Sequence, residues 1–152
     1  MRGAFLTEQF ELFKQQYKKK IRMSFLKFWL FLVAFLRLLS VIIGYFQPEQ
    51  FQFRLFTNNP NEVSPLAARS FAVWTLLTCS CCILCAFNLN SRPIYLLTIW
   101  SFIVALAWFI LELFIYETVT YATALSPFIV ASLSIIFMVP NIPNNNNKRK
   151  NE

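Results

Sequence analysis

The sequence predicts an all-α fold, a four-span transmembrane helical bundle with both termini in the cytosol. Three observations carry this reading. Apolar stretches of membrane length fill most of the 152 residues, at 25–46, 70–87, 94–116 and 122–139. A helix needs ~20 mainly apolar residues to cross a ~30 Å hydrocarbon core, and irregular backbone facing lipid would leave its peptide groups unbonded. Hydrophobic residues make up 57% of the chain and aromatic residues 18%, with only two glycines, which leaves little polar material to coat a soluble domain. The third observation is the placement of charge. Lys14, Lys18, Lys19, Lys20, Arg22 and Lys27 crowd the approach to the first span, while Lys148, Arg149 and Lys150 close the chain. Four spans put both ends on one side, and the positive-inside rule makes that side cytosolic.

Each part of the chain has its own signature. Residues 1–24 form a basic segment in which Leu6, Phe10, Phe13 and Tyr17 recur at helical spacing. Two readings stand for it, an interfacial helix on the cytosolic leaflet or a solvated tail. The first span is too long to be a signal peptide and no small-residue cleavage site follows it, so it is expected to stay in the protein. The loop 47–69 carries Pro48, Pro60 and Pro65 and is expected on the lumenal side with Glu49, Glu62, Arg54 and Arg69. Arg92 marks the short cytosolic connection between the second and third spans. Residues 25–139 thus form one transmembrane domain, followed by an Asn-rich, basic tail over 140–152 that is expected to be disordered. Within it Lys148 and Lys150 resemble the dilysine retrieval signal of endoplasmic-reticulum membrane proteins, which a receptor reads on the cytosolic side.

Helices in lipid associate through small residues that allow close approach and polar side chains that bond across the interface. The second span carries such a stripe in Ala68, Ala72, Thr75, Cys79, Cys82 and Ala86, at alternating four and three spacing. Thr98, Ser101, Ala105, Trp108 and Glu112 repeat it in the third span, and Thr123, Pro127, Ala131 and Ser134 in the fourth. These stripes serve either the bundle or a partner protein's helix; a homo-oligomer, which could build a pore from Arg37 or Glu112, is a separate expectation. Four cysteines lie between Cys79 and Cys85, but helical spacing sets Cys81 and Cys85 opposite Cys79 and Cys82, so the thiols read as packing and not as a zinc site. Cys85, near the cytosolic end of its span, is also a candidate for S-acylation.

Charges inside the membrane weigh more, because an ionised group there costs ~2.5 to 3.5 kcal/mol even on the lenient insertion scale. Arg37 lies midway along the first span, on the face of Ala34, Val41 and Gly44, and is a candidate contact for a partner or a lipid headgroup. Glu112 and Arg69 fall at nearly the same depth near the lumenal side, which predicts an ion pair between the second and third spans, with separate snorkelling as the alternative.

The chain has no histidine and no aspartate. Di-iron oxygenases, haem sites, most zinc sites and general-base hydrolases lean on those residues, and no second intramembrane carboxylate accompanies Glu112. The chain is therefore expected to be no enzyme and to hold no cofactor or metal. With no basic soluble module, the net charge of +7 reads as topology and not as nucleic-acid binding.

The order Ala68-Arg69-Ser70-Phe71-Ala72-Val73-Trp74-Thr75-Leu76-Leu77, then Ile94-Tyr95 with Thr98, Trp100 and Ala105-Leu106, then Glu112-Leu113-Phe114-Ile115-Tyr116, resembles the ergosterol biosynthetic protein 28 family. The likeness extends through Pro127, Val130-Ala131-Ser132 and Met138, whereas the N-terminal segment, Arg37 and the asparagine run are not features of that family. The resemblance implies a non-catalytic scaffold of the endoplasmic-reticulum membrane. Its implied partners are the sterol C-4 methyl oxidase, the C-3 sterol dehydrogenase/C-4 decarboxylase and the 3-keto sterol reductase, with sterol C-24 methyltransferase a further candidate. Trp74, Thr75 and Tyr116 join Arg37, Arg69 and Glu112 as candidate structural or partner-contact residues. The rival expectation is a small channel or a sterol carrier built between the aromatic-rich helices of Trp74, Trp100 and Trp108.

Overall fold

The computed structural model describes residues 2–49, 55–56, 58 and 64–143, with side chains from Gln9 onward. Its helices are α1 (Arg2–Phe46), α2 (Pro65–Phe87), α3 (Arg92–Phe114) and α4 (Tyr121–Met138), closed by a single 3-10 turn at Val139–Asn141. All four α-helices are long and apolar enough to cross a membrane. No strand occurs among the described residues.

Helix ends follow local chemistry. α2 starts five residues before the apolar stretch at 70, because Ser64 accepts the Ala67 amide at 3.2 Å and Pro65 occupies the first turn, where its missing N–H costs nothing. α3 likewise opens with Pro93 in its first turn and stops at Phe114, two residues before the sequence pattern fades. Beyond it Glu117 adopts φ 53°, and the Asn58 side chain donates to its carbonyl at 2.9 Å, so a tight left-handed corner feeds α4. α1 is one unbroken helix of 45 residues, and the sequence boundary at 24/25 corresponds to no break in it. No proline interrupts this stretch, and its side chains from Gln9 to Arg22 are all exposed.

The helices form a closed ring in chain order, with α1 packed mainly on α2 and α3 on α4. One hydrogen bond seals each neighbouring pair. Cys79 Sγ donates to the Ala34 carbonyl (3.2 Å), joining α2 to α1. Thr98 Oγ1 lies 3.1 Å from the Cys81 carbonyl, joining α3 to α2. Tyr95 donates its phenol to the Met138 carbonyl (2.7 Å), joining α3 to α4. Trp29 Nε1 donates to Ser134 Oγ (3.0 Å) and closes α1 on α4. With no hydrophobic force between helices in lipid, such bonds and close packing hold a bundle together.

Two cores fill the ring. The larger occupies the half that carries the chain termini, around Leu26, Leu30, Val33, Cys82, Tyr95 and Phe102. A smaller one plugs the far end, where Phe56, Ala68, Val119 and Ala124 meet, with Ile43, Phe71 and Trp108 packed against them. The hydroxyls of Thr75, Thr78, Ser101 and Ser134 each donate to a carbonyl three or four residues earlier in the same helix, so none is stranded in hydrocarbon. The outward faces are apolar, with Phe28, Val73, Leu77 and Trp100 all more than half exposed. Only lipid or another membrane protein suits such a surface.

Candidate functional site

Every residue of the small stripe on α2 is buried, so the bundle itself uses that face. Thr75 is buried within it and donates to the Phe71 carbonyl at 2.8 Å. Its neighbour Trp74 is 50% exposed and faces outward, as does Tyr116 at 62%. Trp100 also points out, while Trp108 points in against Phe56, Phe71 and Phe109. Trp74, Trp100 and Trp108 therefore do not enclose one space, and none of them lines the two clefts described at the end bearing the termini.

Arg37 sits between the two cores. Its guanidinium carbon lies 4.6 Å from the centroid of the fully buried Phe102 ring, a cation–π contact across the bundle. The Nη1 atom is buried and has no hydrogen-bond partner among the described residues. A half-satisfied cation midway along an apolar span is a functional signal, because no hydrogen-bond partner among the described residues offsets the cost of keeping its buried edge there. Glu112 cannot supply the counter-charge in a parallel copy of this chain. It lies ten residues beyond Phe102 on α3, about 15 Å farther along the axis at ~1.5 Å per residue.

The expected pair between Arg69 and Glu112 does not form. Glu112 is engaged by the hydroxyl of Thr118, in the loop that follows its own helix. Arg69 is exposed, because its neighbour Ala68 takes the inward position and one residue of helix turns the side chain by about 100°. The two side chains take different directions, Arg69 outward and Glu112 to its own following loop. Among the described residues the ion pair present is Lys14 with Glu11, at 3.0 Å on the exposed part of α1.

The cysteines also differ from expectation in one respect. Cys85 is fully buried beside Cys82 and Ala86, three residues along the same face, instead of pointing away. An acyl chain has no access to a thiol in that position. Cys79 is turned to α1 by its bond to Ala34, whereas Cys81 is half-buried, so the thiols diverge. Among the described residues no three metal-ligating side chains converge. Lys148, Lys150 and Arg54 lie outside the described residues.

Sequence reasoning missed the residues that close the ring, Trp29 and Tyr95, and the platform Phe102. Tyr95 was legible as a polar aromatic entering an apolar span, where its hydroxyl needs a partner. Trp29 and Phe102 sit among many aromatics and gave no distinguishing signal.

A family profile described as Erg28 like protein matches residues 26–136, the span from the first buried leucine of α1 almost to the end of α4. The Arabidopsis thaliana protein named Ergosterol biosynthetic protein 28 is 42% identical over 117 residues, which cover 77% of this chain and 89% of that protein. The human protein named Ergosterol biosynthetic protein 28 homolog is 34% identical over 118 residues, covering 77% and 84%. The Saccharomyces cerevisiae protein of the same name as the plant one is 28% identical over 116 residues, covering 76% and 78%. No solved structure matches the chain. Four apolar helices closed into a ring define a multi-pass membrane protein. The chain belongs to the ergosterol biosynthetic protein 28 family.

Proposed function

We propose that this protein acts in sterol biosynthesis as a non-catalytic scaffold of the endoplasmic-reticulum membrane, holding consecutive enzymes of C-4 demethylation together. The observation that supports this most is the extent of the family match, which takes in the apolar part of all four helices and three of the four interhelical bonds that fix their order, Cys79 to Ala34, Thr98 to Cys81 and Trp29 to Ser134. The partners are the sterol C-4 methyl oxidase, the C-3 sterol dehydrogenase/C-4 decarboxylase and the 3-keto sterol reductase, with sterol C-24 methyltransferase a further candidate. A shared scaffold raises the effective concentration of each enzyme around poorly soluble intermediates, without any new contact between the enzymes.

The gathering of Lys14, Lys18, Lys19, Lys20, Arg22, Lys27 and Arg92 at one end of the ring supports a cytosolic side for both termini. The unpaired edge of Arg37 supports a partner that brings a carboxylate on a transmembrane helix at mid-depth, since a phosphate at the surface lies well short of it. The test is capture with a sterol profile. Tagged protein from gently solubilised membranes is expected to bring down the three enzymes, and its loss is expected to raise 4-methyl sterols. Unchanged 4-methyl sterols and an empty capture together would overturn the scaffold.

A further inference from the structure

At the end of the ring that carries the chain termini, a cleft of about 430 Å³ opens between one face of α1 and the turn joining α2 to α3. Its cations are Lys19, Lys20 and Lys27, all from α1. Gln16, Ser24 and Asn90 add neutral polar groups, and Met23, Phe87 and Leu89 supply an apolar side. Helical spacing explains the gathering. Positions 16, 20, 24 and 27 descend one row of α1, and 19, 23 and 27 descend the adjacent row, so Lys27 closes both. Among the described residues no carboxylate lines the cleft, and the Lys14–Glu11 pair uses none of its residues.

We infer that this cleft binds the headgroup of an anionic glycerophospholipid. Three lysines lining one cleft, with no carboxylate among the described residues that line it, call for an anionic ligand, and the volume lies in the range of sites that hold a small ligand. Position selects a lipid over a free phosphate. Leu89 is buried at the base of the turn, whereas Phe87 is 69% exposed and stacks edge-on against Phe31 of α1, their centroids 5.4 Å apart. That aromatic pair continues the apolar side of the cleft down the outer surface of the bundle, where an acyl chain would lie. Lysine suits such a place, because its apolar stem can cover an apolar wall while its ammonium group stays in water.

This reading differs from a diffuse attraction between a basic helix and an anionic leaflet, and a matched pair of variants separates the two. The full chain is held in mixed micelles with equal amounts of phosphatidylserine, phosphatidylinositol 4-phosphate and phosphatidylcholine, and retained lipid is read by native mass spectrometry. Anionic lipid is expected to outnumber phosphatidylcholine on the protein about tenfold. The double variant Lys20→Gln/Lys27→Gln is expected to lose most of that excess, and Lys20→Arg/Lys27→Arg to keep it. Lys14→Gln/Lys18→Gln removes the same charge from the same helix outside the cleft and is expected to change retention less than twofold. Equal losses from the two glutamine pairs would overturn the site, as would no loss from either. Displacement of the lipid by millimolar inorganic phosphate would also overturn it, since the apolar side would then play no part. Far-ultraviolet circular dichroism of each variant checks that helix content is kept.

Discussion

The Arg37 guanidinium rests on Phe102, and its buried Nη1 has no hydrogen-bond partner among the described residues, whereas the Thr75 and Ser101 hydroxyls are satisfied by carbonyls of their own helices. A cation–π contact contributes about 0.5–2 kcal/mol, less than the ~2.5 to 3.5 kcal/mol that a mid-membrane arginine costs on insertion scales. Arg37→Leu should therefore leave the isolated protein at least as stable, by about 1 kcal/mol in its favour, when unfolding in mixed micelles is followed by circular dichroism. The same variant should reduce capture of partner enzymes about tenfold. Undiminished capture would remove Arg37 from the interface. Glu117 offers a second test at this scale. Its φ of 53° places a side chain in the left-handed region, which costs a non-glycine residue about 1–2 kcal/mol. Glu117→Gly should recover about 1 kcal/mol of stability while leaving the Asn58 bond to the residue 117 carbonyl available. A loss of stability would mean that the Glu117 side chain contributes more than its backbone costs.

Helices α2 and α3 show what a pattern in the chain can and cannot convey. Ala72 is fully buried and Leu77, one and a half turns on, is 59% exposed. Ala72→Leu should cost about 1–3 kcal/mol through overpacking, whereas Leu77→Ala should stay within about 0.5 kcal/mol, both read by the same unfolding measurement. Equal effects would refute the assignment of faces. The four spans and the buried stripe on α2 were legible because membrane length and small-residue spacing act locally, on one helix at a time. Helix order was not, since it rests on single bonds such as Thr98 to Cys81 and Trp29 to Ser134, between partners that no spacing rule connects. The Arg69 and Glu112 expectation failed for a related reason. Shared depth is a property of two spans, but Glu112 found Thr118 only six residues away, and a local partner needs less ordering than a long side chain reaching across a bundle.

For the molecule as a whole, the basic residues at one end of the ring set an expectation for sidedness. A membrane-impermeant thiol reagent added to sealed microsomes should label Lys20→Cys and spare Asn58→Cys, and the reverse pattern would invert the proposed topology. Asn58 belongs to the far end, where its side chain meets Glu117. The native thiols interfere little, since three of the four cysteines are buried. α1 itself has a mechanical consequence. A helix of 45 residues rises about 68 Å at ~1.5 Å per residue, roughly twice what the membrane requires. Being continuous, it joins its exposed arm directly to the stretch that carries both Trp29 and Arg37, so whatever holds the arm also bears on the orientation of those two residues.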